Sequence, residues 1–199
     1  MSDDGINVGR RRFLTAATSV VGGAGAVGVA VPFVASWNPS AKAKAAGAPV
    51  KYNISKLEPG QMVTVEWRGK PVYVVRRTDE ILRDLEKVES QLRDPNSEES
   101  IQPDYVDPET RSIKPMLLVL VGLCTHLGCA PMYRPEVGAA DLGGEEWMGG
   151  FFCPCHGSKY DMAGRVYSGV PAPTNLEVPP YSYESDEIIV IGVDQEGTA

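Results

Sequence analysis

From Phe13 to Ala41 the chain runs 29 residues without a charged side chain, directly after Arg10, Arg11 and Arg12. About 20 consecutive apolar residues are enough to cross a bilayer, so the run predicts a single transmembrane anchor over residues 13–37. A cleaved signal peptide, the rival reading, has an apolar core of only about 7–15 residues. Ala41-Lys42-Ala43 and Ala43-Lys44-Ala45 are the places where such cleavage would fall. The three arginines keep residues 1–12 on the cytoplasmic side and send the rest of the chain across. Gly22, Gly23, Gly25 and Gly28 make the run small-sided, which suits close packing on partner helices within a complex.

Charge divides the chain in the same way. The net charge is −7, yet residues 1–50 carry five Lys/Arg against two Asp, which leaves −10 on the remainder. Such a chain has no surplus of cations with which to neutralise phosphates, so a nucleic-acid partner is not expected. Arg10-Arg11-Arg12-Phe13-Leu14 fits the twin-arginine export pattern R-R-x-F-L, a route that carries folded, cofactor-loaded proteins. These features predict a single-pass protein of the cell inner membrane, with a cytoplasmic twin-arginine end and a periplasmic head.

Residues 38–50 lack an apolar stripe and read as a flexible neck. The head, 51–199, opens with strand periodicity. Val63, Val65 and Trp67 alternate with polar residues, Arg68-Gly69-Lys70 turns, and Pro71 to Arg77 runs back. Thr78 can cap a helix over 79–92, in which Ile81, Leu82, Leu85, Val88 and Leu92 keep helical spacing. Residues 94–115 are polar and proline-bearing, and are expected as a long surface loop. Met116 to Val121 and Glu187 to Val193 read as strands. The class is mostly β, with one inserted helix.

The chemistry is confined to two boxes, Cys124-Thr125-His126-Leu127-Gly128-Cys129 and Cys153-Pro154-Cys155-His156-Gly157-Ser158. Every cysteine and histidine of the chain lies in one of them. The spacings C-x-H and C-x-x-H let each loop offer a thiolate and an imidazole to one metal centre. A Cys2His2 zinc site uses the same ligand types with different spacing, C-x2–4-C and H-x3–5-H. Two plain disulfides suit an exported protein but leave both histidines without a role.

The boxes resemble those of Rieske iron–sulfur proteins. That resemblance implies an antiparallel β-sandwich head with a cluster-binding subdomain, its loops at 122–131 and 151–160. It also implies one 2Fe–2S cluster per chain, with Cys124 and Cys153 on one iron and His126 and His156 on the other. Cys129 and Cys155 would then form a disulfide joining the loops. The Ser158 hydroxyl would bond a bridging sulfide and the Tyr160 hydroxyl a ligand sulfur. Hydrogen bonds to sulfur favour the reduced, more negative centre and so raise its potential. Rieske ferredoxins and ring-hydroxylating oxygenases lack the second cysteine pair. With its anchor and export signal, the chain is similar to the iron–sulfur subunits of cytochrome bc complexes, the ubiquinol–cytochrome c reductases. A proline loop at 169–176, Gly169-Val170-Pro171-Ala172-Pro173-Thr174-Asn175-Leu176, extends the resemblance, with Val170 additional to the G-P-A-P-x-N-L form.

The resemblance implies a subunit that oxidises ubiquinol by coupled electron and proton transfer, His156 taking the proton, and passes the electron to a c-type cytochrome. The implied partners are a cytochrome b subunit and a c-type cytochrome subunit in a dimeric membrane complex, with the neck as the hinge of a swinging head. Two rivals differ in class: the Rieske subunit of a periplasmic molybdenum oxidase such as arsenite oxidase, and a zinc-stapled anchored module without redox chemistry.

Overall fold

The structure, a computed structural model, describes residues 5 and 7–194; the rest of the twin-arginine end and of the head's carboxyl end lie outside the described residues. The chain forms two compact units, residues 1–45 and 46–199. The first is dominated by helix α1, Val8–Ala35, whose mean hydropathy of 1.7 over a spanning window suits a bilayer. It starts before the expected anchor because the Asn7 side chain caps it, accepting from Arg10 N–H. The arginines therefore occupy its first turns. A short helix α2, Ala41–Ala46, lies within the expected neck. Its Ala-Lys-Ala-Lys-Ala-Ala sequence consists of strong helix formers, so part of that segment coils instead of extending.

Among the described residues, the second unit contains three antiparallel three-stranded sheets. Strands β1 (Val50–Asn53), β9 (Ile188–Ile191) and β8 (Tyr181–Ser185) pair in that order, so the first and last strands close one sheet together. The second sheet orders β2 (Met62–Trp67), β3 (Lys70–Arg76) and β4 (Leu117–Val121). Trp67 pairs directly with Lys70, and the two turn residues Arg68 and Gly69 both have positive φ, at 53° and 71°. That backbone matches the twist of the strands it joins. β4 is apolar and buried along its whole length. The third sheet orders β5 (Met132–Arg134), β6 (Gly150–Cys153) and β7 (Ser158–Tyr160) and carries the site. Tyr73 of β3 stacks on Phe151 of β6 at 5.9 Å, packing the second sheet against the third.

Helix α3, Asp79–Val88, is capped by Thr78 Oγ1 accepting Ile81 N–H at 3.2 Å, and a 3-10 turn continues it to Gln91. Leu85 and Val88 are buried on its inner face. The segment 94–115 departs from the expected surface loop: Asp94, Val106, Arg111 and Ser112 are buried within it. The reason is hydrogen bonding without strands. Arg77 donates to the Pro115, Thr110 and Met162 carbonyls and to Ser112 Oγ; Arg111 donates to the Ala163 and Gly164 carbonyls and to Gln102 Oε1. Burial pulls both guanidiniums down to about 10, with Asp161 opposing the shift, so both stay charged at neutral pH.

Candidate metal centre

The first site loop leaves β4 at Val121, and Gly122 is required there because a Cβ would stand 2.4 Å from the Tyr73 ring. Tyr73 also reaches the loop's far end, donating to the Pro131 carbonyl at 2.8 Å. The second loop is the β6–β7 hairpin, with Cys153 paired to Ser158. The loops repeat one local device. The Cys124 carbonyl accepts Gly128 N–H at 2.8 Å, and the Cys153 carbonyl accepts Gly157 N–H at 2.9 Å. Both glycines lie in the left-handed region, with φ of 80° and 77°. Cysteine and glycine are four residues apart in both boxes, which is the part of this geometry visible in the sequence.

The two loops meet at their tips. Cys129 and Cys155 form a disulfide, while Cys124 and Cys153 are free, buried thiols. The sulfurs of Cys129, Cys153 and Cys155 lie within 4.8 Å of one another, but the disulfide takes two of the three and that trio cannot hold a metal. The rings of His126 and His156 are 4.7 Å apart, edge to face. His156 is exposed; His126 is half-buried, and its Nδ1 is buried with no hydrogen-bond partner. An orphaned buried nitrogen is costly unless it ligates something. Two free thiols and two adjacent imidazoles on disulfide-joined loops, one ring with such a nitrogen, offer the ligand types of a two-iron centre with mixed ligands.

The two free thiols sit in opposite surroundings. Burial pushes the Cys124 thiol up, but hydrogen bonds from Tyr160, the His126 backbone, Cys153 and Ser158 together bring it below its usual range. Cys153 is held above its usual range by burial and by the neighbouring Cys124 sulfur, against a backbone hydrogen bond from Cys155. The Tyr160 hydroxyl lies 3.2 Å from Cys124 Sγ and accepts Thr125 N–H at 3.2 Å. Thr125 Oγ1 donates to the Thr174 carbonyl at 2.7 Å, which uses its only proton. Tyr160 therefore has two acceptors for its own proton, Thr125 Oγ1 and the Cys124 sulfur. Ser158 Oγ accepts Ala172 N–H at 3.1 Å, which leaves its proton free to turn to a sulfur. Thr125 is a contributor that spacing did not reveal; its hydroxyl matters only because the proline loop passes beside it.

Comparison with known proteins covers nearly the whole chain. Residues 1–40 match the family model described as "Ubiquitinol-cytochrome C reductase Fe-S subunit TAT signal", and residues 49–181 match the Rieske [2Fe-2S] domain. The ubiquinol-cytochrome c reductase iron-sulfur subunit of Allochromatium vinosum is 59% identical over 98% of this chain and 94% of its own. That of Blastochloris viridis is 44% identical over 96% of this chain and 97% of its own. Among solved structures, a chain of a hyperthermophilic respiratory complex III is similar at a TM-score of 0.47, with 27% identity over 87% of this chain and 98% of that one.

Proposed function

The chain belongs to the Rieske iron–sulfur subunits of ubiquinol–cytochrome c reductase, and from that premise we propose which of its residues do the work and where. It is an electron-transfer subunit that carries one 2Fe–2S cluster, oxidises ubiquinol and passes the electron to a c-type cytochrome. When bound, the cluster supplies one-electron chemistry at a potential of roughly −150 to +300 mV, because neutral imidazoles replace two thiolates. Cys124 and Cys153 would hold one iron, and His126 and His156 the other. The observation that carries this assignment is that two free buried thiols and two neighbouring histidine rings lie on two loops already joined by another cysteine pair.

His156 is the residue that meets the quinol. Its exposed ring offers a nitrogen that can accept the hydroxyl hydrogen bond and then the proton, while half-buried His126 is less open to substrate. Leu127 is exposed beside His126, which gives the tip an apolar contact suited to a membrane-embedded partner such as a cytochrome b subunit. Tyr160 and Ser158 donate to sulfur and hold the centre at high potential. The disulfide fixes the two loops relative to each other, so the rings keep their spacing in either redox state. Helix α1 anchors the head in the cell inner membrane with the arginines on the cytoplasmic side and the head in the periplasm. The hinge of a swinging head in a dimeric complex lies in the segment 38–50, at Gly47-Ala48-Pro49 beyond helix α2, where the sequence has no apolar stripe to pack.

The test is purification of the membrane complex that carries this chain. A Rieske-type EPR signal on reduction, co-purifying b- and c-type haem, and quinol-dependent reduction of cytochrome c are expected. Molybdenum without b-type haem would favour the oxidase reading, and zinc without an EPR signal would favour the non-redox module.

A further inference from the structure

The proline loop reaches the site from one side; its other side rests on the segment just after helix α3. Asp94 is buried there, and its carboxylate accepts Glu98 N–H at 2.7 Å, Glu99 N–H at 3.2 Å and the Ser100 hydroxyl at 2.5 Å. Because Ser100 gives its only proton to Asp94, its oxygen is left to accept, and it accepts Asn175 N–H at 3.2 Å. Asn175, itself buried, is held on every side. Its Nδ2 donates to the Asp94 carbonyl at 2.9 Å and to Ser97 Oγ at 3.2 Å, and its Oδ1 accepts Val166 N–H at 2.8 Å. Arg93 adds a bond from Nη1 to the Pro173 carbonyl at 3.2 Å. The opposite side of the same loop makes the contacts that order the site: Ala172 N–H on Ser158 Oγ, and the Thr174 carbonyl on Thr125 Oγ1.

We propose that Asp94 is a positioning residue for the iron–sulfur centre, orienting Ser100 so that Asn175 pins the proline loop against Ser158 and Thr125. The direction of the protons carries the argument. An amide in place of the carboxylate has one oxygen for three donors: with its NH2 toward Glu99 and Ser100, the Ser100 hydrogen is turned away from residue 94 and toward Asn175 N–H, converting an attraction into a clash. The loop would then loosen, and Ser158 would lose the donor that keeps its own hydroxyl turned to sulfur. This gives the polar segment 94–100 a role in the site although none of its residues touches it.

The inference rests on the cluster reading above, and the experiment separates the two. Full-length holoprotein is prepared as wild type, Asp94→Asn, Ser100→Ala, the double variant, and Thr78→Ala, which removes the cap of helix α3 without touching the loop. Amide hydrogen exchange at Ala172 and Asn175, the EPR line shape of the reduced protein, and the rate of iron loss to a chelator are followed together. Asp94→Asn and Ser100→Ala should each speed exchange at both amides and iron loss about tenfold, as expected for one lost charge-assisted hydrogen bond. Both should broaden the EPR lines, and the double variant should be no worse than Asp94→Asn alone. Thr78→Ala should lower the unfolding temperature and move none of these readouts. Unchanged exchange and iron loss in Ser100→Ala overturns the proposal, even if Asp94→Asn fails to fold. Equal acceleration by Thr78→Ala overturns it too, by showing a general loss of stability. Wild-type protein without a Rieske signal sinks the cluster reading instead, and the exchange rates still decide whether the clamp exists.

Discussion

Replacing Tyr160 by Phe removes one oxygen from a fully buried ring and leaves the packing nearly intact. That oxygen is 3.2 Å from Cys124 Sγ and accepts the Thr125 amide. A hydrogen bond to a charged group contributes about 1.5–3 kcal/mol. If the whole of it were present only in the reduced state, the midpoint potential would fall by about 60–130 mV, at 59 mV per factor of ten for one electron. The bond also exists in the oxidised state, and Thr125 Oγ1 competes for the Tyr160 proton, so only part of it depends on charge. The expected fall is therefore about 60 mV, at the lower end of that range. A redox titration followed by EPR, on the membrane complex, measures it directly. Quinol oxidation should slow in step, because the driving force for the first electron shrinks. A midpoint that stays in place or rises would refute the reasoning, since it would mean that the tyrosine proton goes to Thr125 and not to sulfur.

Other consequences are open to measurement. Cys129→Ser opens a loop of 26 residues and should cost about 3.5 kcal/mol on chain-entropy grounds; the cluster should assemble but be lost quickly on warming, and complete absence of iron would count against the ligand assignment. Gly150→Ala places a Cβ 1.9 Å from the Tyr160 carbonyl oxygen, so the head should express poorly or melt far below wild type by circular dichroism. Gly47→Pro with Ala48→Pro, which extends Pro49 into a stiff triplet beyond helix α2, should slow cytochrome c reduction with an unaltered EPR spectrum. Normal turnover in that variant would remove the hinge from the account.

Much of this molecule was legible in its residues. A charge-free run behind three arginines has few alternatives in water, and helix α1 follows from it. The Thr78 cap and the Arg68-Gly69 hairpin were readable because each depends on neighbours in sequence. Pairing every cysteine and histidine into two short boxes announced a metal centre for the same reason. The segment 94–115 reads as surface in the sequence because its polar residues are buried by partners 50 or more positions away, such as Ala163, Gly164 and Asn175. Polarity alone cannot distinguish a side chain that meets water from one that meets a carbonyl.

The sequence by itself determined that four cysteines and two histidines would act together, in two loops of the domain that follows an apolar helix. Which histidine faces outward, and which acceptors the hydroxyls of Ser158, Tyr160 and Ser100 meet, were decided only by the tertiary structure. A spacing specifies which atoms one loop can offer, whereas a hydrogen-bond direction depends on which acceptor a distant loop brings within about 3 Å.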